Sequence, residues 1–261
     1  MAAITGITGA VTSWAGTQNT QLIATGSEPA RFNLTIDADE FDTTTFATTG
    51  SETSLKGLRS VTGEITMQLK TAAIGNLGAV TFSAGYTTNL DEWELSVEGR
   101  EFRSTAFADT AHAYIPGTYR WGGSFAGFLD GTTASTAPAN SNEPATGTFK
   151  VREAGATDDT LSGSIFTTAA NVSAGPLEAN RVAYTFRGSG DLTQSTPSAG
   201  TTIFPTGAVA GATSGSLVLT ASTGRSFTFD AFWTRVTVRV SVGDTTTVSI
   251  AFRGTGDVTI G

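Results

Sequence analysis

The chain has no cysteine and a single histidine among its 261 residues. Without thiols there is no disulfide framework, no thiolate zinc site and no thiol nucleophile. One imidazole cannot form the usual two- or three-histidine metal site. Charge is also scarce. Asp, Glu, Lys and Arg make up 15% of the residues, the net charge is −8, and no dense Lys/Arg patch exists. That balance argues against a protein that grips nucleic acid by neutralising phosphates. No run approaches the ~18 apolar residues of a membrane helix. Met1 to Gly6 has neither the positive start nor the apolar core of a signal peptide, so none is expected.

Glycine, threonine, serine and alanine are abundant instead, a mixture poor in strong helix formers and rich in turn and strand residues. Sixteen phenylalanines and four tryptophans supply core side chains. The composition reads as a folded all-β protein.

The most telling feature is repetition. Phe186-Arg187-Gly188-Ser189-Gly190-Asp191-Leu192-Thr193 returns as Phe252-Arg253-Gly254-Thr255-Gly256-Asp257-Val258-Thr259. Upstream, Ser164-Ile165-Phe166-Thr167-Thr168 is matched to Ala231-Phe232-Trp233-Thr234-Arg235. A second, fainter repeat sets Gly78–Phe82 beside Gly9–Thr12, and Trp93–Phe102 beside Phe32–Phe41. Phe107 then falls where Phe46 did, and Gly117 where Gly57 did. The order of segments is thus A, A′, B′, B. Two groupings are open: A–A′ followed by B′–B, or A′–B′ inserted into A–B. The nested grouping is preferred because insertion at an exposed loop is tolerated when the ends lie close together. It divides the chain into an outer domain of 1–75 plus 196–261 and an inner domain of 76–195. Polar stretches at 133–147 and 194–200 read as connections, and Thr43–Gly50 as an extended loop.

Strand patterning is clearest near the end. Val236, Val238, Val240 and Val242 alternate with Arg235, Thr237, Arg239 and Ser241; after Gly243-Asp244, Val248, Ile250 and Phe252 repeat the alternation. This predicts a long half-buried hairpin.

Catalytic readings find little support. His112, in Asp109–Tyr114, reads as a solvated loop residue rather than a general base. Asp37, Asp39, Glu40 and Asp42 lack the glycine turn and terminal Glu of a calcium loop, and read as a solvated strand edge. Asp91, Glu92 and Glu94 are too close in sequence to be glycosidase acids flanking a bond from separate elements. Gly188-Ser189-Gly190 and Gly254-Thr255-Gly256 follow strands, but no helix and no Gly-Lys-Ser/Thr follow them. A strand-ending turn with positive φ explains them better than a phosphate loop. The sequons at Asn33 and Asn171 fall on expected strands. No enzymatic activity, cofactor or metal is expected.

Gly78–Tyr86, Trp93–Val97 and Ile115–Phe125 resemble the start of the tail tube (major tail) proteins of long-tailed bacteriophages, and the two F-R-G-[ST]-G-D-[LV]-T ends resemble their closing strand. The resemblance covers nearly all of the inner domain and, more faintly, the outer one. It implies two tube-type β-sandwich domains whose long hairpins join those of neighbouring copies into a ring-shaped β-barrel. Rings stack into a hollow tube that encloses the tape-measure protein, meets other tail proteins at its ends and passes DNA without specific binding. The common family member has one such domain and forms hexameric rings; two domains per chain imply trimeric, pseudo-hexameric rings. The implied location is the virion tail, after synthesis in the host cytoplasm, with a non-contractile tail where the resemblance is closest. A capsid decoration or adhesin-like binding module is the alternative. The residues expected at hairpin or inter-subunit contacts are Arg187, Asp191, Arg253, Asp257, Arg235 and Arg239, with Gly188, Gly190, Gly254 and Gly256 shaping the strands. A turn-internal Arg–Asp pair in each motif is the local alternative to an inter-subunit salt bridge.

Overall fold

Twelve β-strands in one antiparallel sheet carry the structure, a computed structural model that describes residues 10–15, 28–42, 54–68, 80–82, 90–107, 109–128, 145–152, 159–175, 178–194, 214–222, 225–242, 244 and 246–261. The first six strands are β1 (Ala10–Trp14), β2 (Glu28–Asp42), β3 (Ser54–Gln68), β4 (Val80–Phe82), β5 (Leu90–Arg103) and β6 (Tyr114–Phe128). The last six are β7 (Ala145–Arg152), β8 (Asp159–Gly175), β9 (Glu178–Gln194), β10 (Gly215–Ser222), β11 (Arg225–Ser241) and β12 (Thr247–Ile260). The all-β expectation is met: no helix occurs among the described residues, so none is long and apolar enough to cross a membrane. The expected connections at 133–147 and 194–200 are cut back, since 145–147 belong to β7 and Gln194 to β9; the rest of them, the expected loop at Thr43–Gly50 and the boundaries at 75/76 and 195/196 lie outside the described residues.

The sheet runs β2-β3-β12-β11-β5-β6-β9-β8-β7-β4, with β10 on β11 and β1 on β10. Two equivalent four-strand blocks therefore lie side by side, β2-β3-β12-β11 and β5-β6-β9-β8, joined where β11 meets β5. The equivalence holds residue by residue. Gly63 pairs with Phe252 as Gly123 pairs with Phe186, and Phe32 pairs with Ile65 as Trp93 pairs with Phe125. The first segment of the chain pairs with the last, and the two middle segments pair with each other. The sheet nevertheless runs unbroken through β11 and β5, and among the described residues it does not close on itself.

The long strand β11 changes partner along its length. The start of β11 pairs with β10, and its second half, Arg235–Ser241, pairs with β5. β8 likewise pairs with β7 through Asp159–Ile165. Strands β1 and β10 in one block, and β4 and β7 in the other, form layers whose aromatic side chains pack under the blocks. Trp14 meets Phe252 at 6.2 Å between ring centroids, while Phe149 meets Trp93 at 5.4 Å and Phe186 at 5.2 Å. These side chains are almost wholly buried, and each contributes roughly 1.5–3 kcal/mol by burial.

The two blocks fill the same space with different residues. Trp121 occupies the inner block beside Gly163 and Gly188, whose added Cβ atoms would lie 2.5 and 1.9 Å from its ring. At the matching place in the outer block stand Val61, Phe229 and Gly254. The large ring stands on the first strand of the trio β6-β9-β8 in the inner block and on the third of β3-β12-β11 in the outer, so the same gap is filled from opposite sides, as close packing demands.

Two expectations about the repeated motif are corrected. Its second glycine does have positive φ, +73° at Gly190 and +88° at Gly256. These residues, however, lie inside β9 and β12 rather than in strand-ending turns. They sit at bulges where the ladder skips from Ser164↔Ser189 to Ser162↔Thr193, and from Asp230↔Thr255 to Thr228↔Thr259. A bulge bends the strand and lets one long hairpin serve two layers. The upstream match also slips by one: Ile165 faces Gly188 as Ala231 faces Gly254, which sets Phe166, not Ile165, beside Phe232. Hydrophobic similarity alone pairs Ile165 with Phe232 and Phe166 with Trp233, whereas hydrogen-bond register decides the alignment.

Candidate functional site

Alternation gives the central strands two unlike faces. Trp93, Leu95 and Val97 of β5, Val236, Val238 and Val240 of β11, and Val248, Ile250 and Phe252 of β12 are all buried. The opposite face carries Glu94, Ser96 and Glu98, then Arg235, Thr237 and Arg239, then Ser249, Ala251 and Arg253. Because the layers of β1, β10, β4 and β7 cover the apolar side, the charged side is the uncovered face of the sheet.

That face is held by Arg–Glu pairs at the junction of the two blocks. Glu98 accepts hydrogen bonds from Arg120 at 2.6 and 2.9 Å and pairs with Arg235 at 2.9 Å. The hydrogen bond from Arg120, with the charge of Arg235, holds its carboxyl below the ordinary carboxylate value. Arg253 on β12 reaches past β11 to Glu101 on β5, its Nε 3.0 Å from Oε2, and lies over the Tyr114 ring at 4.7 Å. The Glu101 carboxylate raises the pKa of the Arg253 guanidinium. Arg239 faces Glu94 across the β11–β5 ladder.

The expected contact residues thus divide. Arg253 and Arg235 bind carboxylates across the block junction, and Arg253 turns to Glu101 rather than to Asp257 of its own motif. Asp257 accepts a hydrogen bond from Thr110 at 2.6 Å, and Asp191 from the Tyr119 hydroxyl at 3.2 Å. Loss of water and the Asp191 carboxylate raise the Tyr119 pKa. Arg187 is exposed on β9.

His112 requires correction, since it is 5% exposed rather than solvated. Its Nε2 lies 3.0 Å from Asp39 Oδ2 and its Nδ1 3.4 Å from Thr105 Oγ1. The backbone of the same segment bonds Arg59 and Gly256. The stretch between β5 and β6 therefore clasps the neighbouring block, and Asp39, expected as a solvated edge, is the anchor. Sequence spacing could not reveal this, because His112 and Asp39 lie on different repeats. Asp91 and Glu92 are bound by Arg181 of β9 and so belong to a structural ion-pair group. Among the described residues no cluster of three metal-ligating side chains exists.

Among the described residues, two long strands leave a backbone edge unpaired. Beyond Ile165, β8 has β9 on one side and no described strand on the other. β2 has β3 on one side and ends the sheet. Apolar side chains line both edges: Val172 is 66% and Ile36 42% exposed. Open, apolar edges of this length are templates for pairing with another chain.

No protein-family model matches the chain, and no curated protein matches it in sequence.

Proposed function

We propose that this chain is a structural subunit of the tail tube of a long-tailed bacteriophage. In this reading its copies associate edge to edge into rings, and the rings stack into a hollow tube. The observation that carries the reading is the open sheet of two equivalent blocks, ending in one free edge of each kind. A contact of this head-to-tail type generates a ring when its rotation closes and a filament when it does not. Closure removes every exposed edge.

Each block, with its covering layer, corresponds to one tube domain: 1–75 plus 196–261 for the outer, 76–195 for the inner. Three chains then supply six blocks to one pseudo-hexameric ring. In this reading the charged face, opposite the covered apolar one, lines the bore. There Arg and Glu side chains neutralise one another, interspersed with Ser, Thr and Gly. Such a lining offers DNA no phosphate-binding stripe and releases few counterions, which suits passage of DNA without specific binding. The tape-measure protein occupies the bore before ejection, other tail proteins meet the tube ends, and the assembled subunit resides in the virion after synthesis in the host cytoplasm.

Electron microscopy of the purified protein across a concentration series tests this. Rings or tubes with an open bore and three chains per ring are expected. Six chains per ring would retain the tube and remove the two-domain count. Compact monomers throughout would overturn the proposal in favour of a capsid-decorating or adhesin-like module.

A further inference from the structure

The junction inside the chain is a template for the junction between chains. The outer block presents β11 to β5 of the inner block, with Val236 opposite Val97, Thr237 opposite Ser96 and Val238 opposite Leu95. The inner block carries the counterpart of β11, namely β8, and no described strand pairs with its equivalent edge over 169–175. The outer block carries the counterpart of β5, namely β2, and no described strand pairs with its equivalent edge either. The correspondences are fixed by shared partners. Val172 pairs with Val182 as Val238 pairs with Val248, and Leu34 pairs with Gly63 as Leu95 pairs with Gly123.

We infer that β8 of one copy pairs antiparallel with β2 of a second copy in the register of the internal β11–β5 ladder. Val172 then faces Leu34, Ala170 faces Ile36 and Asn171 faces Thr35. From Ala170 to Ala174, apolar residues fall opposite apolar residues and polar opposite polar. A slip of one residue would turn every side chain to the wrong face.

Charge supports the same register independently. Arg253 and Glu101 form an ion pair across the internal junction. Their counterparts are Arg187, next to Gly188 as Arg253 is next to Gly254, and Glu40, next to Phe41 as Glu101 is next to Phe102. Within one chain these two lie toward opposite ends of the sheet, and both are exposed. The inferred register brings them together as the same Arg–Glu pair, between copies. A chain that keeps one half of a pair on one edge strand and the other half one strand in from the opposite edge is complementary to itself head to tail.

The inference rests on the proposed self-assembly but fixes its contact independently of the tube. Because the chain has no cysteine, a register test is clean. Val172→Cys protein and Leu34→Cys protein are mixed under assembly conditions and oxidised. A disulfide-linked dimer is expected from the mixture and not from either variant alone. Arg187→Glu and Glu40→Arg are each expected to raise the concentration needed for assembly by about tenfold, and mixing both changes in one chain to restore it. Rings that form without the cross-link, and without sensitivity to either charge reversal, would overturn the register while leaving the tube intact. Cross-linked open filaments with no bore would do the reverse. If no association appears at any concentration, both fall.

Discussion

Replacing Gly188 with alanine tests the strongest packing statement about the repeated motif. An added Cβ would lie 1.9 Å from Cε2, 2.1 Å from Cδ2 and 2.4 Å from Cζ2 of Trp121. Ordinary contact begins near 3.4 Å, so the ring must retreat by about 1.5 Å. It has little freedom to do so. Trp121 is 5% exposed, its Nε1–H donates to the Gly190 carbonyl at 2.8 Å, and Phe186 and Gly163 bound it on other sides. Overpacking of this kind costs about 1–3 kcal/mol, and losing the indole hydrogen bond adds about 1 kcal/mol. Gly188→Ala is therefore expected to destabilise the fold by about 2–4 kcal/mol. Gly190→Ala is the contrast. Nothing lies within 4 Å of its added Cβ, and the cost is only that of positive φ, about 1–2 kcal/mol. Gly190→Asn should be milder still, because Asn tolerates that region. Urea denaturation followed by tryptophan fluorescence, at concentrations below assembly, measures all three. Equal losses for Gly188→Ala and Gly190→Ala would refute the division of labour between the two glycines.

Three further outcomes are expected. Glu101→Gln leaves the Arg253 guanidinium, 24% exposed, without its carboxylate; a loss of about 1–2 kcal/mol in urea stability is expected, and no loss would remove the pair from the block junction. Glu98 has a folded pKa lowered from 4.5, so its pairing stabilises above that value and the benefit disappears as pH falls through the folded pKa. Wild-type and Glu98→Gln denaturation midpoints should differ slightly at pH 7, by less than about 1 kcal/mol for so exposed a group, and converge in acid. A gap that widens in acid would contradict the sign. His112→Ala should release the segment between β5 and β6 from Asp39 and Arg59, seen as faster hydrogen exchange over residues 104–113; unchanged exchange would mean the clasp is held by the backbone alone.

Much of this was legible in one dimension. Alternation in Val236–Val242 and Val248–Phe252 gives a half-buried hairpin, because side chains in an extended backbone point to opposite faces in turn. The doubled F-R-G-[ST]-G-D motif announced two equivalent units, since like sequences satisfy like backbone demands. What sequence alone left undecided were relations between residues far apart along the chain. Arg253 chooses Glu101 over nearby Asp257, His112 is buried beside Asp39 from another repeat, and the register of β8 differs by one from that of greatest hydrophobic similarity. Local patterning determines that strands form and which face is apolar, because those follow from the period of the backbone. Which edges meet and which remain open is decided only when the strands assemble, because hydrogen-bond partners and ion pairs come from the whole sheet.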